Sequence, residues 1–257
     1  LAAIKPPMYS VAIMPIWVGT AIAFWDKNRI DWPIFLTFIT SAILILAWEN
    51  ISNDVFDSET GIDKNKHHSL VNLTGNKDLM FWLGNLCLFL GILGILIISW
   101  WLQDLTVIGL IFLCCFLGYI YQGPPFRLGY QGLGEIICFF AFGPLAISAA
   151  YYSQTKTWSI TSLTASIIIG ITTTIILFCS HFHQVRDDLA AGKRSPIVRM
   201  GTKAGSQVLN WSCGIVFVLI SICVGLGFFP VWTLLSFTGL PFAIHLLSLI
   251  HISEPTR

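Results

Sequence analysis

Long apolar runs separated by short polar segments dominate the chain. Eight such runs stand out, over residues 8–24, 33–53, 79–101, 105–121, 133–152, 160–182, 207–228 and 231–246. Within the hydrocarbon of a bilayer only helices, or strands closed into a barrel, satisfy their own backbone polar groups, and a helix needs roughly 17–25 apolar residues to cross. The pattern therefore predicts an all-α, polytopic membrane helix bundle with eight spans. The fourth is short and parted from the third only by Gln103 and Asp104; the eighth is also short.

Composition agrees with that class. Hydrophobic residues make up 55% of the chain and charged residues 11%, with a mean hydropathy of +0.77, outside the range of soluble domains. A net charge of +1 offers no field for nucleic acid, so none is expected as a partner. The seven cysteines lie in apolar stretches with no CxxC pair and read as small buried hydrophobes rather than disulfides or zinc ligands. Residue 1 is Leu, not Met, and residues 247–257 resemble the translation of a sequencing adapter. The expected fold is thus one membrane-embedded domain over 1–246, in two four-helix halves of about 1–128 and 129–246, with the tail outside it.

Charge sets the orientation. With the N-terminus and every second loop on one side, that side carries Lys5, Lys64, Lys66, Lys77, Arg127, Arg186, Lys193, Arg194, Arg199 and Lys203, against Lys27, Arg29 and Lys156 on the other. Ten against three places the rich side in the cytoplasm, or in the equivalent compartment of an organelle. Most acids share it, including Asp54, Asp57, Glu59, Asp63, Asp78, Glu135, Asp187 and Asp188. Both signs on one face suit a polyanion held through metal and through Lys/Arg together.

The acids fall into two clusters. Asn50, Asp54 and Asp57 lie at i, i+4 and i+7 on one helical face as the second span leaves the membrane. Oxygen ligands without a thiolate favour a hard cation, above all Mg²⁺, which usually brings a phosphate with it, and acids at membrane depth mark a functional site. The second cluster follows the sixth span, where Gln184 and Asp188 are one turn apart, as are His183 and Asp187. Asp54 and Asp188 stand about half a chain apart, so each half carries one cluster, and the two are expected to hold a metal–diphosphate between them. His181 and His183, at i, i+2, point to different faces, so one at most joins the site. His67 and His68 sit in a loop that leaves solvent and substrate contact equally open. Glu49 adjoins Asn50 on another face, where a structural role is expected.

These residues resemble the UbiA-type superfamily of intramembrane prenyltransferases, and within it the branch that attaches phytyl or another polyprenyl chain to a dihydroxynaphthoate in phylloquinone and menaquinone synthesis. Its first motif is matched by Asn50, Asn53, Asp54 and Asp57, with Gly61 and Asp63 following. The loops Asp63-Lys-Asn-Lys, His68-Ser-Leu-Val-Asn-Leu-Thr-Gly-Asn-Lys77, Tyr121-Gln-Gly-Pro-Pro-Phe-Arg-Leu-Gly-Tyr-Gln-Gly-Leu-Gly-Glu135 and Gly192-Lys-Arg-Ser-Pro-Ile-Val-Arg-Met-Gly201 are similar to that branch. The chain departs from the wider superfamily where Gln184 takes the first place of the second DxxxD motif, and where Asp63 is displaced from the third acidic place of the first.

The resemblance implies a bundle of nine spans, of which eight are present, and Mg²⁺-dependent transfer of a prenyl group from its diphosphate to 1,4-dihydroxy-2-naphthoate, or its quinone form, with loss of the ring carboxylate. It implies Asn50, Asn53, Asp54, Asp57, Gln184, Asp187 and Asp188 as metal ligands, and Lys64, Lys66, Lys193 and Arg194, with Asn50 and Asn53, as diphosphate ligands. Arg127 and Tyr130 would close the site. Another acceptor, such as homogentisate, chlorophyllide or protohaem, is the alternative within the superfamily. A secondary transporter is the alternative outside it, disfavoured because the acids cluster at span ends rather than mid-span.

Overall fold

The computed structural model describes residues 6–60, 62 and 69–252. Its elements are α1 (Pro6–Lys27), α2 (Trp32–Thr60), α3 (Leu70–Thr74), α4 (Lys77–Leu102), α5 (Thr106–Gln122), α6 (Gly134–Phe140), a π-helical turn (Ala141–Leu145), α7 (Ala146–Thr155), α8 (Ile160–Ala190), α9 (Pro196–Gly225), a 3-10 segment (Val231–Gly239) and α10 (Leu240–Ile252). Seven helical stretches are long and apolar enough to cross a membrane, α6 to α7 and the 3-10 segment with α10 each counting as one. The eighth apolar helix, α5, has 17 residues.

The bundle is all-α, as its hydropathy pattern predicts, with three local differences. The fifth run is one apolar stretch in sequence, but Pro144 lacks the N–H that regular α-helical bonding requires, and the chain widens into a π turn around it. The seventh run is expected from residue 207, whereas α9 starts at Pro196. Proline suits a first helical turn, and the polar Arg199 and Lys203 kept that turn out of an apolar window. Gly201 then breaks the helix locally at φ +79°. Third, residues 247–252 continue α10, and Ile250 is buried against the α8–α9 core.

Successive spans run in opposite directions, while α1 and α7 pack side by side in the same direction, and polar contacts define the two ends. At one end, Asp31 N donates to Gln154 Oε1 at 2.8 Å, Tyr151 Oη to Asp26 at 2.8 Å and Tyr152 Oη to Asp104 at 2.9 Å. The α1–α2, α4–α5 and α7–α8 connections therefore meet there. The opposite end gathers the C-terminus of α2, the 123–133 loop and the 191–195 connection. Between the ends, Ile16, Phe38, Ile95, Ile98, Val107 and Ala149 form the largest buried cluster, with a second around Phe178, Ile197 and Leu209. Outward-facing Phe89, Phe116 and Val218 are exposed, as expected where the outer solvent is hydrocarbon.

One crossing fixes the central geometry. A Cβ on Gly143, in the π turn, would stand 2.5 Å from Ser166 O and 2.8 Å from Gly170 Cα. Only glycine lets α8 approach that closely, and the approach sets α6 against α8, where two site residues meet.

Candidate active site

The last two turns of α2 carry Asp54 and Asp57 into the bundle rather than into solvent, at 2% and 4% exposure. Asp54 Oδ2 accepts from Leu70 N at 2.9 Å, so the start of α3 folds back over it. Asp57 Oδ1 accepts from Tyr130 Oη at 2.7 Å, and the Tyr130 and Thr60 hydroxyls are 2.7 Å apart. Burial first, and the Asp57 carboxylate second, hold the Tyr130 hydroxyl above its ordinary range, so it stays a protonated donor.

Tyr130 also joins the second cluster. Lys193 Nζ sits 5.7 Å from the centre of its ring, within cation–π range, and 3.6 Å from Asp188 Oδ1. Asp188, fully buried, has its other oxygen 3.4 Å from His181 Nδ1, and His181 Nε2 lies 3.1 Å from Glu135 Oε1. Polar and ionisable side chains thus run from α2 through the 123–133 loop and the 191–195 connection to α8 and α6. The two clusters meet at one end of the bundle.

The glycine-rich loop makes that meeting possible. Gly132 adopts φ +77°, and a Cβ there would collide with Arg194 O. With that space free, Arg194 N donates to Tyr130 O at 2.7 Å and the Arg199 guanidinium donates to Gln131 O. The loop is clamped onto the 191–199 segment, and Tyr130 is thereby aimed at Asp57.

The remaining expected residues are placed as follows. Asn50 and Asn53 are half-buried and line a cavity described below. Arg127 lies at the rim, its Nη2 3.1 Å from Glu59 Oε2, while Lys77 Nζ is 2.7 Å from the other Glu59 oxygen. Arg194 contributes its backbone; its side chain is exposed. Gln184 and Asp187 are half-buried on the last turns of α8, and His183 is exposed. Gly61, Asp63, Lys64, Lys66, His67 and His68 lie outside the described residues. Glu59, Thr60 and Arg199 also touch the site, although the spacing of the acidic clusters does not select them. Their one sequence signal is position, since each lies within a few residues of a motif.

Among the described residues, no three His, Cys, Asp or Glu side chains form a ready-made metal site. Mg²⁺ rarely asks for one, because it keeps several waters and takes one or two carboxylates plus substrate phosphate. Asp54 and Asp57, buried oxygen donors one turn apart, fit that requirement.

Below this polar cap lies a cavity of about 320 Å³ between α1, α2, α5, α6, the π turn and α8. Its walls are largely apolar, with Ile16, Phe38, Leu46, Ile111 and Phe142 among them, and Asn50, Asn53 and Glu49 stand on its α2 side. Glu49, expected on a different face from Asn50, opens onto the same space, because the cavity wraps around more than one stripe of α2.

A cap of carboxylates and cations over an apolar cavity in a membrane bundle defines a polytopic membrane enzyme that handles an amphipathic substrate. The sequence model of the UbiA prenyltransferase family matches residues 12–256, and the chain belongs to that family of prenyltransferases. It is similar to the 2-carboxy-1,4-naphthoquinone phytyltransferase of Synechocystis sp., with 58% identity over 96% of this chain and 80% of the relative. It is also similar to the chloroplastic 2-carboxy-1,4-naphthoquinone phytyltransferase of Arabidopsis thaliana, with 42% identity over 93% of this chain and 65% of that one. Among solved structures, a UbiA homolog from Archaeoglobus fulgidus bound to GPP and Mg²⁺ shares the fold at a TM-score of 0.72 and 14% identity, over 98% of this chain and 84% of the other.

Proposed function

We propose that the protein transfers a phytyl group, or a related polyprenyl group, from its diphosphate to 1,4-dihydroxy-2-naphthoate or its quinone form, in phylloquinone or menaquinone synthesis. The observation that carries this reading is the junction at Asn50 and Asn53. There the buried carboxylates of Asp54 and Asp57, with the half-buried Tyr130, meet an apolar cavity suited to an isoprenoid chain. The naphthoate acceptor is supported by the two phytyltransferases to which the chain is similar.

Chemically, the C–O bond to diphosphate breaks with its electron pair leaving on oxygen. The allylic carbon is attacked by the electron-rich ring, and the ring carboxylate leaves as CO₂. Stabilising the charge that develops on the leaving diphosphate is the largest catalytic need. Asp54 and Asp57, with Asn50, Asn53, Gln184, Asp187 and Asp188, would hold Mg²⁺, whose charge would neutralise part of that on the diphosphate. Lys193, with Lys64, Lys66 and Arg194 from the surrounding loops, meets the phosphate oxygens. Tyr130 orients Asp57, and the 123–133 loop carrying Arg127 keeps water from the allylic cation. The site faces the cytoplasm or stroma.

Membranes containing the protein are supplied with phytyl diphosphate, Mg²⁺ and labelled dihydroxynaphthoate. Decarboxylated, phytylated product is expected, abolished by chelation and reduced at least about a hundredfold by Asp54→Ala, the scale of losing one main charge-stabilising contact. Product that persists under chelation, or no product from any naphthoate, refutes the reading.

A further inference from the structure

Glu49 has no role in the chemistry above. It is a carboxyl group on the cavity wall, well inside the membrane-crossing part of α2, and among the described residues no hydrogen bond or ion pair reaches it. Beside it, Asn50 Nδ2 is buried and has no hydrogen-bond partner. Tyr121 contributes a phenol to the same wall, and Cys114 and Cys138 add two thiols. A polar group facing apolar surroundings without a partner is costly, and such sites are retained where a ligand or water completes them. An acceptor of hydrogen bonds and an unused donor, side by side, therefore call for a ligand with complementary oxygen groups.

The prenyl chain has none, being hydrocarbon beyond its first carbon. The second substrate does. Glu49 lies four residues before Asn53, so it stands about 6 Å deeper along α2, at 1.5 Å per residue. The reacting carbon of the donor is tied to the diphosphate at Asp54 and Asp57. The acceptor ring must come within about 3.5 Å of that carbon, which places a bicyclic ring just inside the cap, at the depth of Asn50 and Glu49. Resting on the function proposed above, we infer that Glu49 and Asn50 form the acceptor subsite. Glu49 accepts a hydrogen bond from a ring hydroxyl, and Asn50 Nδ2 donates to a ring oxygen or to the carboxylate. The consequence is specificity: a free ring hydroxyl satisfies Glu49, and masking that hydroxyl as an ether leaves the carboxyl group unpaired.

Steady-state kinetics on wild type, Glu49→Gln and Glu49→Leu test this, with donor and acceptor varied separately. Glu49→Leu is expected to raise the acceptor KM about tenfold or more, as when a buried hydrogen-bonding partner is lost, while the KM for phytyl diphosphate stays within about twofold. The wild-type preference for dihydroxynaphthoate over its O-methyl ether should shrink by a similar factor. Glu49→Gln, which keeps one acceptor oxygen and the side-chain shape, should fall between the two; it also serves if the leucine variant fails to fold, as judged by helical circular dichroism in detergent. An unchanged acceptor KM in both variants, or a change confined to donor KM or to preferred chain length, overturns the inference and makes Glu49 part of the prenyl wall. Wild type that turns over no naphthoate at all overturns the parent function instead, so the two failures are distinct.

Discussion

Tyr130 shows how much one hydroxyl organises. It donates to Asp57, touches Thr60, and presents its ring to Lys193. Because burial and the nearby carboxylate raise its pKa above the ordinary 10.0, the neutral form is favoured by folding. Its contribution is complete below the ordinary tyrosine range and is lost only as pH climbs through the raised value. Alkaline titration of tyrosinate absorbance should therefore show no difference between wild type and Tyr130→Phe around pH 10, the difference emerging only at higher pH. An extra tyrosinate already formed by wild type at pH 10 would contradict this. In the transfer assay, Tyr130→Phe should lower kcat/KM by about tenfold, since removing one buried hydrogen-bond donor from a charged group costs about 1–3 kcal/mol. A fully active phenylalanine variant would reduce the tyrosine to a space-filler. Residues at this scale were partly legible in sequence, because i, i+4, i+7 spacing alone puts Asn50, Asp54 and Asp57 on one face. What that spacing could not supply was the partner. The link from Asp57 to Tyr130 spans 73 positions and depends on a loop whose path no local pattern reveals.

Elements add two glycine-dependent contacts with separable consequences. Gly143 permits the α6–α8 crossing, which belongs to the packed core, while Gly132 permits the clamp between the 123–133 loop and the 191–199 segment. Gly143→Ala must push helix backbone against helix backbone, and overpacking of this kind costs about 1–3 kcal/mol, so a lower melting temperature in detergent is expected. Gly132→Ala strains a left-handed residue in a surface loop and displaces Arg194. It should leave melting nearly unchanged yet lower transfer several-fold, because Tyr130 loses its aim. Equal melting losses, or a Gly132→Ala enzyme as fast as wild type, would show that the loop is not what positions Tyr130. Hydropathy made the helices readable because each crosses an apolar solvent. It missed the π turn at Pro144 and the first turns of α9, where a proline and two cations locally break the apolar pattern without ending the helix. The Glu135–His181 contact was equally invisible, since it exists only once α6 crosses α8.

At the scale of the whole molecule, the two ends differ in chemistry as well as in charge. Among the described residues, the end carrying Asp54, Tyr130 and Lys193 also carries Lys77, Arg127, Arg186, Arg194, Arg199 and Lys203. The other end has three such cations, and around it stand Trp25, Trp32, Trp100, Trp101, Trp158 and Trp232, all exposed. Indole rings settle at the membrane–water interface, and Lys and Arg remain on the cytoplasmic side during insertion. The orientation proposed above therefore turns the polar cap toward the cytoplasm or stroma. The arrangement can be read directly by accessibility. Asp78 and Arg29 are exposed at opposite ends, and the seven native cysteines are buried or half-buried within apolar helices, where a charged maleimide does not penetrate. In sealed right-side-out vesicles, Arg29→Cys should react with an impermeant maleimide at once, and Asp78→Cys only after permeabilisation. The reverse pattern would turn the site to the outside and refute the assignment from charge. Labelling of both variants in sealed vesicles would show that the two ends are not separated by the bilayer, and the spanning arrangement itself would have to be redrawn.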